Sequence, residues 1–168
     1  MNYELNIEVL EDIEASIEEL SKLLVKVVDD GAAVGFLPPM KQSFAREYWN
    51  SVLAPGVILF VAKINKHIVG SVQLHLCAKE NGLHRADIAK LITDPNFRRR
   101  GLGRALMQKA EERAIQEGRS LLVLDTREGD PSNLLYQSLG FIEAGRIPYF
   151  AKSANGELHT TVLYYKSL

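Results

Sequence analysis

Apolar positions change their period along this chain, and each change marks an element. Residues 3–10 alternate well enough for a first strand. From Asp12 onward, Ile13, Ile17, Leu20, Leu24 and Val28 recur every three or four residues, which predicts an amphipathic helix stopped by Gly31. Glu11, Asp12 and Glu14 suit the positive end of its dipole, and a solvated helix end accounts for them. Gly31–Met40, with Gly35 and Pro38-Pro39, reads as a mobile loop. A second helix is expected over Gln42–Leu53, with Phe44, Tyr48, Trp49 and Val52 on one side and Pro55-Gly56 as its stop.

Val57–Ile64 is a nearly continuous apolar run; in His67–Ala78, by contrast, Val72, Leu74 and Leu76 alternate with Ser71, Gln73 and His75. Joined by Asn65-Lys66, the two predict a hairpin with one strand buried on both faces and one half-exposed. His75 falls on the polar face and reads as exposed; His67 and His159 read as ordinary surface positions, and no metal site is expected. A strand over Asp87–Thr93, a helix over Gly101–Gln116 and a short buried strand over Leu121–Asp125 follow. A helix from about Pro131 to Leu139 and strands near Phe141–Arg146 and Leu158–Lys166, separated by Asn155-Gly156, complete the chain. The order implies a mixed α/β sheet in a single domain over residues 1–168.

Composition narrows the class of function. The 168 residues are 46% hydrophobic and 24% charged, as in ordinary globular proteins. Twenty Lys plus Arg against 21 Asp plus Glu leave a net charge of −1, which argues against a broad basic face for nucleic acid. The longest apolar run, Val57–Ala62, is far too short to span a membrane, and no basic residue precedes Lys22, so neither a secretory nor a transit signal fits. A cytoplasmic location is the default. The single Cys77 reads as a half-buried strand residue rather than a nucleophile.

The strongest local signal is Leu91-Ile92-Thr93-Asp94-Pro95-Asn96-Phe97-Arg98-Arg99-Arg100-Gly101-Leu102-Gly103-Arg104-Ala105-Leu106: a strand, a loop crowded with Arg and Gly, and a helix start. Gly101 and Gly103 let a ligand approach the main chain, and the free N–H groups of the first helical turn favour an anion. A Walker A loop would need Lys-Ser/Thr after Gly103, where Arg104-Ala105 stands. A dinucleotide fingerprint would need Gly or Ala at Leu106. A coenzyme A pyrophosphate cradle wants Arg or Gln, two spacers, Gly, one spacer, and Gly or Ala, which Arg98, Gly101 and Gly103 supply. Taken alone, Arg98–Arg100 could equally be a solvated basic loop.

With these residues the sequence resembles the GCN5-related N-acetyltransferases. Leu121–Asp125 resembles that family's fifth strand, and Leu134-Leu135-Tyr136-Gln137-Ser138-Leu139-Gly140-Phe141 its last conserved helix. His84-Arg85-Ala86-Asp87, Lys90, Leu124-Asp125-Thr126 and Thr161–Lys166 most resemble the branch containing the tabtoxin resistance protein. The Asn that many members place seven residues before the Tyr is Gly129 here, and Asn133 stands too close to Tyr136 to replace it.

The resemblance implies a single-domain acyl-CoA N-acyltransferase (GNAT) fold, a mixed, mostly antiparallel sheet flanked by about four helices. It also implies acetyl-CoA as co-substrate, with Leu91, Ile92 and Thr93 along the pantetheine and Arg98, Arg99, Arg100, Gly101, Leu102, Gly103, Arg104 and Ala105 around the pyrophosphate. Asp87 and Asp125 are the candidate bases and Tyr136 the candidate general acid in direct attack by the amine. The bland alternatives are a turn-capping Asp125, an Asp87 paired with Lys90 or Arg85, and a Tyr136 that only packs. Phe36, Tyr48 or Trp49, and Pro148-Tyr149-Phe150 are expected to wall the acceptor pocket beside Asp87 and Asp125, for a small amine such as an amino acid, peptide or antibiotic-like molecule. A protein N-terminus or lysine also fits. A homodimer is admitted as an assembly; nucleic acid and membrane are not expected as partners. An acyl-CoA-binding module without transferase activity is the alternative function.

Overall fold

A computed structural model describes residues 4–168; Tyr3, with which the sequence pattern opens the first strand, lies outside them. The strands among the described residues are β1 (Leu5–Leu10), β2 (Val57–Ile64), β3 (His67–Leu76), β4 (Arg85–Thr93), β5 (Leu121–Arg127), β6 (Ile142–Lys152) and β7 (Leu158–Ser167). The helices are α1 (Ile17–Asp29), α2 (Gln42–Asn50), α3 (Leu102–Gln116) and α4 (Ser132–Ser138). The strands form one sheet in the order β1-β2-β3-β4-β5-β7-β6. Every pairing is antiparallel except β4 with β5. No helix among the described residues is long and apolar enough to cross a membrane.

Alternation along the strands sends side chains into two separate cores. Ile58, Phe60, Ala62 and Ile64 of β2 join Val72 and Leu74 of β3 and Leu102, Leu106, Met107, Ala110 and Ala114 of α3 on one face. Leu59 and Val61 join Leu20, Leu24, Val28 and Trp49 of α1 and α2 on the other. Leu102, Leu106, Ala110 and Ala114 are buried, as the helical period requires, and Asn65 and Lys66 take the positive φ values of 51° and 69° that a tight hairpin turn needs.

Four expectations are corrected. β3 is not half-exposed: Ser71 and Gln73 are 0% and 2% exposed, because the polar row of that strand faces the α1–α2 layer rather than water. The α2 residues divide between two helix faces, with Ala45 and Trp49 buried and Phe44 exposed, since residues five apart lie about 140° around a helix. The loop after α1 is tethered: Gly31 O accepts from Arg127 at 3.2 Å, Val34 O from Lys90 at 2.6 Å, and Met40 N–H donates to Asp29 at 3.3 Å. Pro148–Phe150 is not a free loop but a bulge inside β6, where Ile147 pairs with Thr161 and Ala151 already with His159.

Candidate active site

β4 and β5 pair only at Arg85–Leu121, Ala86–Leu122 and Asp87–Val123. Beyond that rung β5 continues along β7 and β4 along β3, so the two strands part and β4 faces the gap with an unpaired edge. A bulge shapes that edge: Ala89 pairs with Gln73 and Ile92 with Ser71, one residue too many, and Lys90 takes φ +54°. The bulge breaks the alternation that would otherwise put Asp87, Ala89 and Leu91 on one face. Leu91 packs into the α3-side core, whereas Ile92, 4% exposed, belongs to the opposite one.

Beyond β4, a single turn over Pro95–Phe97 and the Arg98–Arg100 loop lead to the start of α3. Gly101 precedes the helix at φ +76° with no capping side chain and open space where a Cβ would stand. Among the described residues no acceptor meets the N–H groups of Leu102, Gly103 and Arg104. The free donors end there, because Ala105 N–H donates to Gly101 O at 3.0 Å and so offers no free N–H to the expected cradle. Gly103 has a packing reason as well: a Cβ there would lie 3.1 Å from Leu135 Cδ2 of α4. The arginines have separate partners. Arg98 pairs with Asp30 at the end of α1, Arg100 lies 5.0 Å over the Phe97 ring, and Arg104 donates to Ser138 Oγ at 2.7 Å, while Arg99 is exposed at φ +61°.

Side chains on the α1–α2 face of β3, β4 and β5 converge beside the gap. Asp87 is exposed and has no ion pair among the described residues; Lys90 and Arg85, its expected partners, turn to Val34 O and Cys77 Sγ instead. Asp125, two residues past the last β4–β5 rung, is no turn cap but a strand residue whose Oδ2 accepts from Thr161 Oγ1 at 2.8 Å. Lys90 Nζ lies 5.2 Å from the Phe36 ring centroid, and burial lowers its pKa although Asp125 opposes the shift. Phe36 packs edge-on against Phe44 and Tyr48, with centroids 5.9 and 5.0 Å away.

Tyr136 is 5% exposed on α4, between Phe141 and Tyr164, and its hydroxyl has no hydrogen bond among the described residues. Burial raises its pKa, with Asp125 and Asp130 adding to the shift. Asn133 accepts from Tyr164 Oη at 2.8 Å and donates to Arg127 O and Asp130 O, so its amide is consumed in holding the β5–α4 connection.

One expected pocket residue stands behind the site rather than in it. Trp49 is wholly buried, its indole N–H donating to Leu20 O at 3.0 Å, and it backs the Tyr48 ring, 5.2 Å away between centroids. Tyr149 is 77% exposed at the β6 bulge. The sequence reading missed the polar chain behind the site: Gln73 Nε2 donates to Tyr48 Oη at 2.8 Å, and Gln73 Oε1 lies 2.8 Å from His75 Nε2. The signal was there in Ser71, Gln73 and His75, but assigning that row to solvent hid it.

Residues 35–141 match the family model described as the acetyltransferase (GNAT) family. The chain belongs to that family. The uncharacterized N-acetyltransferase in the hisH-hisA intergenic region of Azospirillum brasilense is 36% identical over 104 residues, 60% of this chain and 62% of the relative. Human N-alpha-acetyltransferase 30 is 31% identical over 91 residues, 54% of this chain and 25% of the relative. The ribosomal protein bS18-alanine N-acetyltransferase of Escherichia coli K12 is 36% identical over 63 residues, 37% of this chain and 43% of the relative. Each match spans less than two thirds of the relative. In fold, the chain is similar to the GNAT acetyltransferase of Streptococcus pneumoniae (TM-score 0.82, 22% identity, 98% of this chain and 100% of that one). It is likewise similar to Salmonella typhimurium yncA, solved with its cofactor acetyl-CoA (TM-score 0.80, 16% identity, 98% and 94%). The seven-stranded mixed sheet with four helices is thus the GNAT fold.

Proposed function

We propose that this GNAT protein transfers the acetyl group of acetyl-CoA to the amine of a small molecule, an amino acid, peptide or antibiotic-like compound, by direct attack in a ternary complex. The observation that carries the reading is the unpaired β4 edge followed, after one short turn and the arginine loop, by an uncapped helix start. An extended polar chain can add to such an edge as a strand. A pyrophosphate suits the free N–H groups of Leu102, Gly103 and Arg104, with the Arg98–Arg100 loop supplying positive charge. When bound, acetyl-CoA supplies the acyl group as an activated thioester. Leu91, Ile92 and Thr93 would hold its pantetheine arm.

The chain's own groups have distinct tasks in this reading. Asp87 and Asp125 draw the substrate ammonium to the gap, and either can take part in its deprotonation. Tyr136 keeps its proton through the neutral range because burial opposes ionisation. It therefore acts as a hydrogen-bond donor to the departing sulfur; complete proton release from so weak an acid to a thiolate of ordinary pKa, about 8.5, would run uphill. Phe36 and Tyr48 offer an apolar wall to the acceptor. The placement beside the tabtoxin resistance protein belongs to the same proposal and rests on His84–Asp87, Lys90, Leu124–Thr126 and Thr161–Lys166.

A free-thiol assay with acetyl-CoA against amino acids, polyamines, aminoglycosides and short peptides tests the reading. One relative is by its name an N-alpha-acetyltransferase and another a ribosomal protein bS18-alanine N-acetyltransferase, so peptides with free N-termini belong in the set. Thiol release with at least one amine is expected. Acetyl-CoA binding without release under any amine would leave an acyl-CoA-binding module.

A further inference from the structure

We propose that His75, through Nδ1, accepts the proton that the incoming ammonium must lose, with Asp87 beside it to stabilise the imidazolium. The inference rests on the acetyl-transfer reading and assigns that reaction a proton acceptor on a third strand.

Hydrogen bonding fixes which nitrogen is available. Gln73 is 2% exposed, and with its Nε2 donating to Tyr48 Oη its Oε1 can only accept. The hydrogen on His75 therefore sits at Nε2, which donates to that oxygen at 2.8 Å, and Nδ1 carries the lone pair. Nδ1 has no hydrogen-bond partner among the described residues. In the ladder His75 stands directly across from Asp87, and Asp87 across from Val123, the last rung before β4 and β5 part. The imidazole is thus one strand from the gap, on the face that carries Asp125 and Lys90.

The groups facing it come from its own strand and from β4 and β2: Asp87 and Lys90 of β4, Gln73 of its own strand, which in turn holds Tyr48 of α2, and apolar Val57 opposite on β2. Burial holds its pKa below the ordinary value, Asp87 works against that shift and Lys90 with it, so the ring is neutral at physiological pH. Imidazole is also a stronger base than a carboxylate of ordinary pKa, about 4. In the step, the N–H bond of the ammonium breaks and its electron pair stays on the amine nitrogen. The proton adds to Nδ1, giving imidazolium beside Asp87, and the neutral amine is free to attack. The half-exposed ring then returns the proton to water.

The test compares wild type, His75→Gln and His75→Ala with the best amine from the thiol-release set. His75→Gln keeps a donor toward Gln73 Oε1. It is expected to lose about 10²-fold in kcat/KM at neutral pH, with unchanged KM for acetyl-CoA. The deficit should shrink as pH rises toward the pKa of the amine, and added imidazole should restore part of the His75→Ala rate. Nitrogen-15 spectra of the ring should show the Nε2–H tautomer, titrating below 6.5, and lower still in Asp87→Asn. A deficit equal at every pH, no deficit, or an Nδ1–H tautomer overturns the assignment. If wild type releases no thiol with any amine, the acetyl-transfer reading falls and His75 with it; wild-type turnover beside an unaltered His75→Gln profile removes His75 alone.

Discussion

The two faces of the sheet solve the problem of lining a site in opposite ways. On the α3–α4 face side chains are mostly apolar up to the edge of the gap, and apart from the Tyr136 hydroxyl what is offered there is main chain: the unpaired β4 edge and the free N–H groups at the start of α3. On the α1–α2 face the core itself contains a hydrogen-bonded chain, Tyr48–Gln73–His75, and the site is made of side chains. A main-chain surface recognises what every acyl-CoA has in common. A side-chain surface can be retuned residue by residue, so in the proposed reaction the α1–α2 face is where acceptor choice would reside.

Substitutions that treat the faces unequally can break this contrast. The largest effect is expected from Trp49→Ala, at about 3–5 kcal/mol of stability; Leu106→Ala, also wholly buried, should cost about 2–5 kcal/mol. Denaturant melts give both costs. Among molecules still folded, Trp49→Ala should raise the amine KM and Leu106→Ala the acetyl-CoA Kd; the reverse pattern would undo the assignment of the faces. Next comes Tyr136→Phe, expected to lower kcat about 10²-fold with little change in acetyl-CoA affinity or melting temperature, because the hydroxyl has no partner among the described residues to lose. Equal kcat would remove it from the reaction.

Gln73→Leu sharpens the comparison from the other side. It strands the Tyr48 hydroxyl and the His75 Nε2–H, at a cost of about 1–3 kcal/mol, whereas Asp125→Asn still accepts from Thr161 and should melt near wild type while losing turnover. The smallest effect is in pH dependence. His75 has a lowered folded pKa, so the unfolded chain binds its proton more readily; stability is complete above the unfolded value of about 6.5 and falls as pH drops through and below it. A gentler acid-side fall in melting temperature for His75→Gln is the expected sign.

The α3 side was legible because its signals are local. Arg98, Gly101 and Gly103 declare a loop and a helix start within six residues, and the period of Leu102, Leu106, Ala110 and Ala114 declares the buried face. The α1–α2 side depends on which element covers which strand. Alternation separated Ser71, Gln73 and His75 from Val72 and Leu74 correctly, but it cannot say that a helix layer rather than water lies over the polar row. Likewise nothing local announces that Lys90 takes a left-handed conformation and turns Leu91 to the opposite core, which is a property of β4 settling between β3 and the gap.

β6 closes one end of the sheet with its outer edge free, and all but one of its residues are exposed. Ile142, Ile147 and Phe150 on that edge, each more than 40% exposed, would suit it to templating further strands and so to aggregation. The bulge interrupts that hazard. Pro148 has no N–H to donate, and Tyr149 at φ +57° bends the chain out of the ladder, so no incoming strand can run the length of β6 in register. The irregularity at Pro148–Phe150 thus serves as colloidal protection for the molecule in solution.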